Sequence, residues 1–111
     1  MMTVVELPEY VRRAKKLLQE EERDNLLNYL ASHPTAGDIL EGTGGIRKLR
    51  WKREGIGKSG GVRVIYYYQN ERYPVFLLTI FGKSEQANVS KAERNALAKM
   101  IDALLASYEK P

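Results

Sequence analysis

The sequence predicts an α+β fold: two N-terminal helices, a small antiparallel sheet of mainly three to four strands, and one C-terminal helix. Three observations predict it. Apolar residues recur at helical spacing as far as His33, the period changes to two between Ile46 and Phe81, and helical spacing returns after Ser90. With 111 residues, the chain is read as one domain, 1–111, long enough to bury a single core.

Thr3 to Leu7 is a short β-like opening that runs into Pro8, placed at the first position of a helix where its missing N–H costs nothing. Leu7, Val11, Ala14 and Leu18 line one side of that helix, with Arg12, Arg13, Lys15 and Lys16 between them. The acids Glu20, Glu21, Glu22 and Asp24 suit the first turn of a second helix through its dipole; Leu26, Leu27 and Leu30 form its inward stripe, and Ser32-His33-Pro34 breaks it. Thr35 to Leu40 reads as a short helical turn, after which Gly42, Gly44 and Gly45 end helical structure.

From Ile46 the alternation of Leu49 and Trp51 with Lys48, Arg50 and Lys52 describes a strand that buries one side and presents three cations on the other. A Gly-rich connection leads to a second strand, Val62 to Tyr68, and the turn Gln69 to Pro74 leads to a third, Val75 to Phe81. The third strand is apolar on both sides, as a central strand covered by helices must be. Gly82 ends it. Ser90-Lys91-Ala92-Glu93 has the form of a capping box, and Leu97, Ile101, Leu104, Leu105 and Tyr108 form the stripe of a last helix packed on the sheet.

Charge is sorted along the chain. Gly45 to Lys83 carries nine Lys or Arg against two acids, Glu54 and Glu71, a net of +7, and the rest of the chain carries −3. A cationic strand interleaved with aromatics neutralises phosphates and stacks on bases, which points to RNA with splayed bases. The bland alternative is a solvated polar strand face. The chain has no Cys and one His, and its basic segment has no paired carboxylates, so neither a thiolate zinc site nor a metal-dependent nuclease is expected, and no cofactor is called for. No apolar stretch approaches the length of a membrane span, and the N-terminus lacks a signal-like apolar run; a soluble cytoplasmic protein without a membrane partner is the expectation.

RNA brings its own nucleophile, the 2′-OH, so cleavage needs a base, a stabiliser for charge developing on phosphorus and an acid for the leaving oxygen. Arg clamps phosphate bidentately and stays charged, whereas Lys among other cations exchanges protons more readily. On this logic Arg63 is the phosphate clamp, and Lys48, Lys58 and Lys83 are proton-transfer or phosphate groups. Composition alone leaves a cleaving enzyme and a binding protein both open.

Three strings in order, Gly42 to Trp51, Gly57 to Tyr67 and Leu77 to Lys83, resemble the RelE-like toxins of bacterial toxin–antitoxin systems, nearest their HigB branch. The resemblance implies a metal-independent endoribonuclease that cleaves mRNA in the ribosomal A site, contacts 30S ribosomal RNA and is neutralised by a HigA-like helix-turn-helix antitoxin. It assigns catalytic roles to Arg63, Lys83, Lys48 and Arg50, with Lys52 next on the same face; the basic run and its interleaved aromatics, read by themselves, add Lys58, Arg47 and Tyr67 as RNA contacts. In the best-studied members a second Arg follows the equivalent of Lys83 and a stacking Tyr comes several residues later; here Ser84 follows, and no aromatic stands near Ser90. Tyr67, Tyr68, Tyr73 and Phe81 are the substitutes, although aromatics on strands ordinarily pack into cores.

Blander readings accompany these. His33 is a loop or helix-end residue rather than a general base, Glu85 a helix-terminal or ion-pairing residue, and Trp51 a core anchor; Gly57, Gly60 and Gly61 make a hairpin rather than a phosphate cradle. Arg12, Arg13, Lys15 and Lys16 are either solvated or contacts for ribosomal RNA. The alternative function is a relative on the same scaffold without nuclease activity, a ParE-like gyrase inhibitor or a non-catalytic RNA binder.

Overall fold

A computed structural model describes residues 1–52, 61–83 and 88–109. The elements run β1 (Val4–Glu6), α1 (Pro8–Leu17), α2 (Glu20–Ser32), β2 (Asp38–Ile39), β3 (Ile46–Trp51), β4 (Val62–Tyr67), β5 (Val75–Gly82) and α3 (Lys91–Tyr108). They build the expected α+β architecture around one five-stranded sheet of order β1-β5-β4-β3-β2. Two features differ from the expected meander of three to four strands. The opening segment joins the sheet as β1, parallel to β5, while the other pairings are antiparallel. The stretch expected as a helical turn instead supplies β2, which pairs with β3.

The reason for that second difference is tertiary. The Tyr66 hydroxyl donates to Pro34 O and accepts from the Gly37 N–H, both at 2.8 Å, and the Arg47 guanidinium donates to Thr35 O and Gly37 O. Backbone groups that a helix would use locally are thus taken by side chains from the sheet. Gly37 is required for this approach, since a Cβ there would lie 2.8 Å from the Tyr66 ring.

The two sides of the sheet are covered separately. Tyr10, Ala14 and Leu18 of α1 with Leu26 and Leu30 of α2 close over Val62, Val64 and Tyr66 of β4 and Leu77 and Ile80 of β5. On the opposite side Ile46, Ile65, Tyr67, Phe76 and Leu78 pack with Val89 and Ile101, which belong to α3 and its lead-in. A register shift at Ile65/Tyr66 sets Thr79 opposite Ile65 but Leu77 opposite Tyr66, so one extra β5 residue is accommodated and both sides of β5 stay apolar. The expected capping box holds the start of α3: Glu93 N–H donates to Ser90 Oγ at 3.1 Å and Ser90 N–H to Glu93 Oε1 at 3.2 Å. Its far end is pinned by Tyr108, edge-on to Phe76, and by Glu109, which pairs with Arg72 at 2.7 Å and accepts from the Tyr73 hydroxyl.

Candidate functional site

The strand registers decide which cations meet. Ile46, Lys48 and Arg50 of β3 stand opposite Tyr67, Ile65 and Arg63 of β4, and Arg63 in turn stands opposite Phe81 of β5. Because Ile46, Ile65, Tyr67 and Phe81 belong to the α3-side cluster, alternation puts Lys48, Arg50 and Arg63 on that same side. The Lys83 N–H donates to Gly61 O at 3.1 Å, extending the β4–β5 ladder one residue beyond Gly82 and placing Lys83 in phase with Phe81. A Cβ on Gly61 would lie 3.7 Å from Arg63 Nη1, so the guanidinium reaches toward the end of the sheet where Lys83 emerges. The α3 side is therefore divided: apolar under α3, cationic beyond its first turn.

Arg63 is the unusual member. It is 9% exposed, directly opposite a second arginine, and the one hydrogen bond of its guanidinium among the described residues is a 3.5 Å contact with the neighbouring Val62 O. Like charges directly across a ladder repel, and a guanidinium withdrawn from water needs an anion or several acceptors. No carboxylate pairs with Arg63 among the described residues. Arg50, Lys52 and Lys83 are exposed and Lys48 is half-buried. Such an arrangement suits a phosphate drawn between the two arginines, with the lysines bordering it.

Other named residues lie elsewhere. Arg47 faces the α1/α2 side, where it donates to Tyr68 O at 3.1 Å as well as to Thr35 O and Gly37 O, and it closes the β2 turn rather than joining the cationic face. Tyr67 is buried with its ring 6.2 Å from that of Phe76, and burial pushes its hydroxyl pKa up; it is a core residue and not an open stacking platform. Phe81 is buried as well, and Tyr73 is committed to Glu109. Trp51 packs half-buried against the α1/α2 core, 5.4 Å from the Tyr29 ring. His33 ends α2, stacked on Tyr29 with its Nδ1 3.1 Å from Tyr29 O, the helix-end role expected of it. Lys58, Glu85, Gly57 and Gly60 lie outside the described residues.

One neighbour of the site had no signal in the sequence. Lys48 Nζ donates to Asn88 Oδ1 at 3.1 Å, a contact spanning 40 residues. Among the described residues there is no group of three or more His, Cys, Asp or Glu arranged to hold a metal, and no helix long and apolar enough to cross a membrane.

A solved structure of the E. coli toxin RelE, a double arginine-to-alanine mutant in the free state, superposes with a TM-score of 0.56 at 18% identity, covering 89% of this chain and 95% of that one. The likeness is one of fold. The family model described as the RelE toxin of the RelE / RelB toxin–antitoxin system matches residues 9–110. Nearly the whole length is covered, and the chain belongs to the RelE toxin family of toxin–antitoxin systems.

Proposed function

We propose that this toxin is an endoribonuclease that cleaves mRNA in the ribosomal A site, with the RNA 2′-OH as nucleophile. The observation that carries the reading is the Arg50–Arg63 pair, facing each other on one side of the sheet with Lys48 and Lys83 at its border and no acidic partner for Arg63 among the described residues. Arg63 clamps the scissile phosphate and meets the charge that develops there, Arg50 shares that charge, and Lys48 and Lys83 contact the phosphate or move protons. Lys52, exposed just beyond β3, follows the RNA backbone. Lys and Arg supply electrostatic stabilisation directly, so the chemistry asks for no metal ion. The family implies a partner that restrains the toxin, and a HigA-like helix-turn-helix antitoxin is the partner we assign.

The test is cleavage of ribosome-bound mRNA with a single 2′-deoxy nucleotide at the scissile position. Cleavage should stop there and continue at unmodified sites. Continued cleavage at the deoxy position removes the 2′-OH mechanism, and growth arrest without any mRNA cleavage transfers the toxin to the gyrase-inhibiting or RNA-binding alternatives.

A further inference from the structure

Asp38 of β2 and Lys48 of β3 stand directly opposite each other, a position where opposite charges ordinarily pair across the ladder. Yet the Lys48 ammonium donates to Asn88 Oδ1, and no ion pair joins it to Asp38 among the described residues. The two partners pull in different directions. Asp38 lies on the outermost strand of the sheet, whereas Asn88 lies in the lead-in to α3, next to Val89, which is buried in one cluster with Ile65 and Phe81. Asn88 is held in place by its neighbours: Val89 anchors the chain to the sheet and Ser90 caps α3. Lys48 is likewise held, since its strand is paired on both edges.

We propose that Asn88 is a positioning residue for the RNA-cleaving site: its side-chain carbonyl draws the Lys48 ammonium away from Asp38 and holds it toward the centre of the cationic face, beside Arg50 and Arg63. The inference rests on Lys48 acting at the site as set out under Proposed function. Without the Asn88 amide, Lys48 turns to Asp38, its charge is neutralised at the sheet edge, and the face loses one of its cations. An uncharged amide suits this role better than a carboxylate, because it orients the ammonium without cancelling the positive potential that RNA needs.

The 111-residue chain tests it in four variants, by cleavage of ribosome-bound mRNA and by crystal structure. Asn88→Ala should lower kcat about 3- to 10-fold, the size of one ordinary solvent-exposed hydrogen bond, with an unchanged melting temperature. Asp38→Asn added to Asn88→Ala should restore the rate, which a merely structural role for Asn88 would not allow. Asn88→Ala added to Lys48→Ala should lower the rate no further. In the crystal structure of Asn88→Ala, Lys48 Nζ should move within ion-pairing reach of Asp38. Full activity of Asn88→Ala, failure of Asp38→Asn to restore it, an additive loss on top of Lys48→Ala, or an ammonium that stays away from Asp38 each overturns the proposal. The structural readout is independent of activity: a toxin that cleaves no mRNA defeats the function proposed above, while the position of Lys48 in Asn88→Ala still decides between Asn88 and Asp38.

Discussion

The two sides of the sheet use the same strands for opposite purposes. On the α1/α2 side the cover is continuous: Ala14, Leu26, Leu30, Val62, Val64 and Leu77 are all fully buried. On the α3 side the cover stops partway along the strands, and of the α3 stripe Ile101 alone is buried while Leu97, Leu104 and Leu105 are partly so. Where α3 ends its cover, Arg50 and Arg63 take the positions that would otherwise be core. One side is spent on stability and the other is left incomplete, which is the condition for a small fold to keep an open cationic surface beside a packed core.

Truncating matched leucines on the two sides should break or confirm that contrast. Leu30→Ala should destabilise by about 2–5 kcal/mol, because the surrounding α1/α2 core cannot collapse onto the cavity, whereas Leu105→Ala, on the partly covered helix, should cost less than half as much in the same urea titration. Equal losses would mean that α3 is as integral to the core as α2. The cationic half predicts the reverse pattern: Arg63→Ala should reduce mRNA cleavage by about 100-fold, equivalent to about 2.7 kcal/mol of barrier, while leaving the melting temperature unchanged or raised through relief of the repulsion with Arg50. A marked fall in stability would make Arg63 a structural residue.

Smaller effects sharpen the edges of the comparison. Tyr10 is the one described side chain whose buried polar atom has no partner, and burial raises its hydroxyl pKa above the usual 10.0. Tyr10→Phe should therefore be neutral or stabilise by up to about 1 kcal/mol near neutral pH, since nothing is left unpaired. The folded state disfavours the tyrosinate, so stability is intact below pH 10.0 and falls as pH rises above it. The phenylalanine variant should show a shallower alkaline decline. The smallest effect is expected at the α3 end, where the hydrogen bond from Tyr73, aided by Arg72, holds the Glu109 carboxyl below its usual value of 4.5. A lowered folded pKa stabilises above 4.5 and loses that contribution as pH falls, so Glu109→Gln should flatten the acid limb of a melting-temperature profile without changing the Leu30 or Arg63 results.

Much of this was legible residue by residue. Pro8 and the Ser90–Glu93 box mark the starts of α1 and α3 through local geometry, and Val11, Ala14 and Leu18 turn to one core as their spacing predicts, whereas Leu7, the residue before α1, packs on the opposite side of the sheet. The alternation of Leu49 and Trp51 with Lys48 and Arg50 identifies a strand with one cationic side for the same reason. Arg47 was misleading because it belongs to the same basic run yet falls in the opposite phase, where its guanidinium closes a turn. Tyr67 was misleading because strand aromatics look alike in sequence, whether exposed to bases or buried against Phe76.

Local spacing and charge were therefore enough to determine an α+β chain, its helices, its three main strands and a cationic strand side, since each depends on neighbours within a few residues. Only the tertiary structure decided the rest: that the opening strand pairs in parallel with β5, that Thr35–Leu40 is drawn into the sheet by Tyr66 and Arg47, that Arg50 faces Arg63, and that Lys48 turns to Asn88 instead of Asp38. Each of those is a contact between residues far apart in the chain, and register and side-chain reach fix it only once the strands have met.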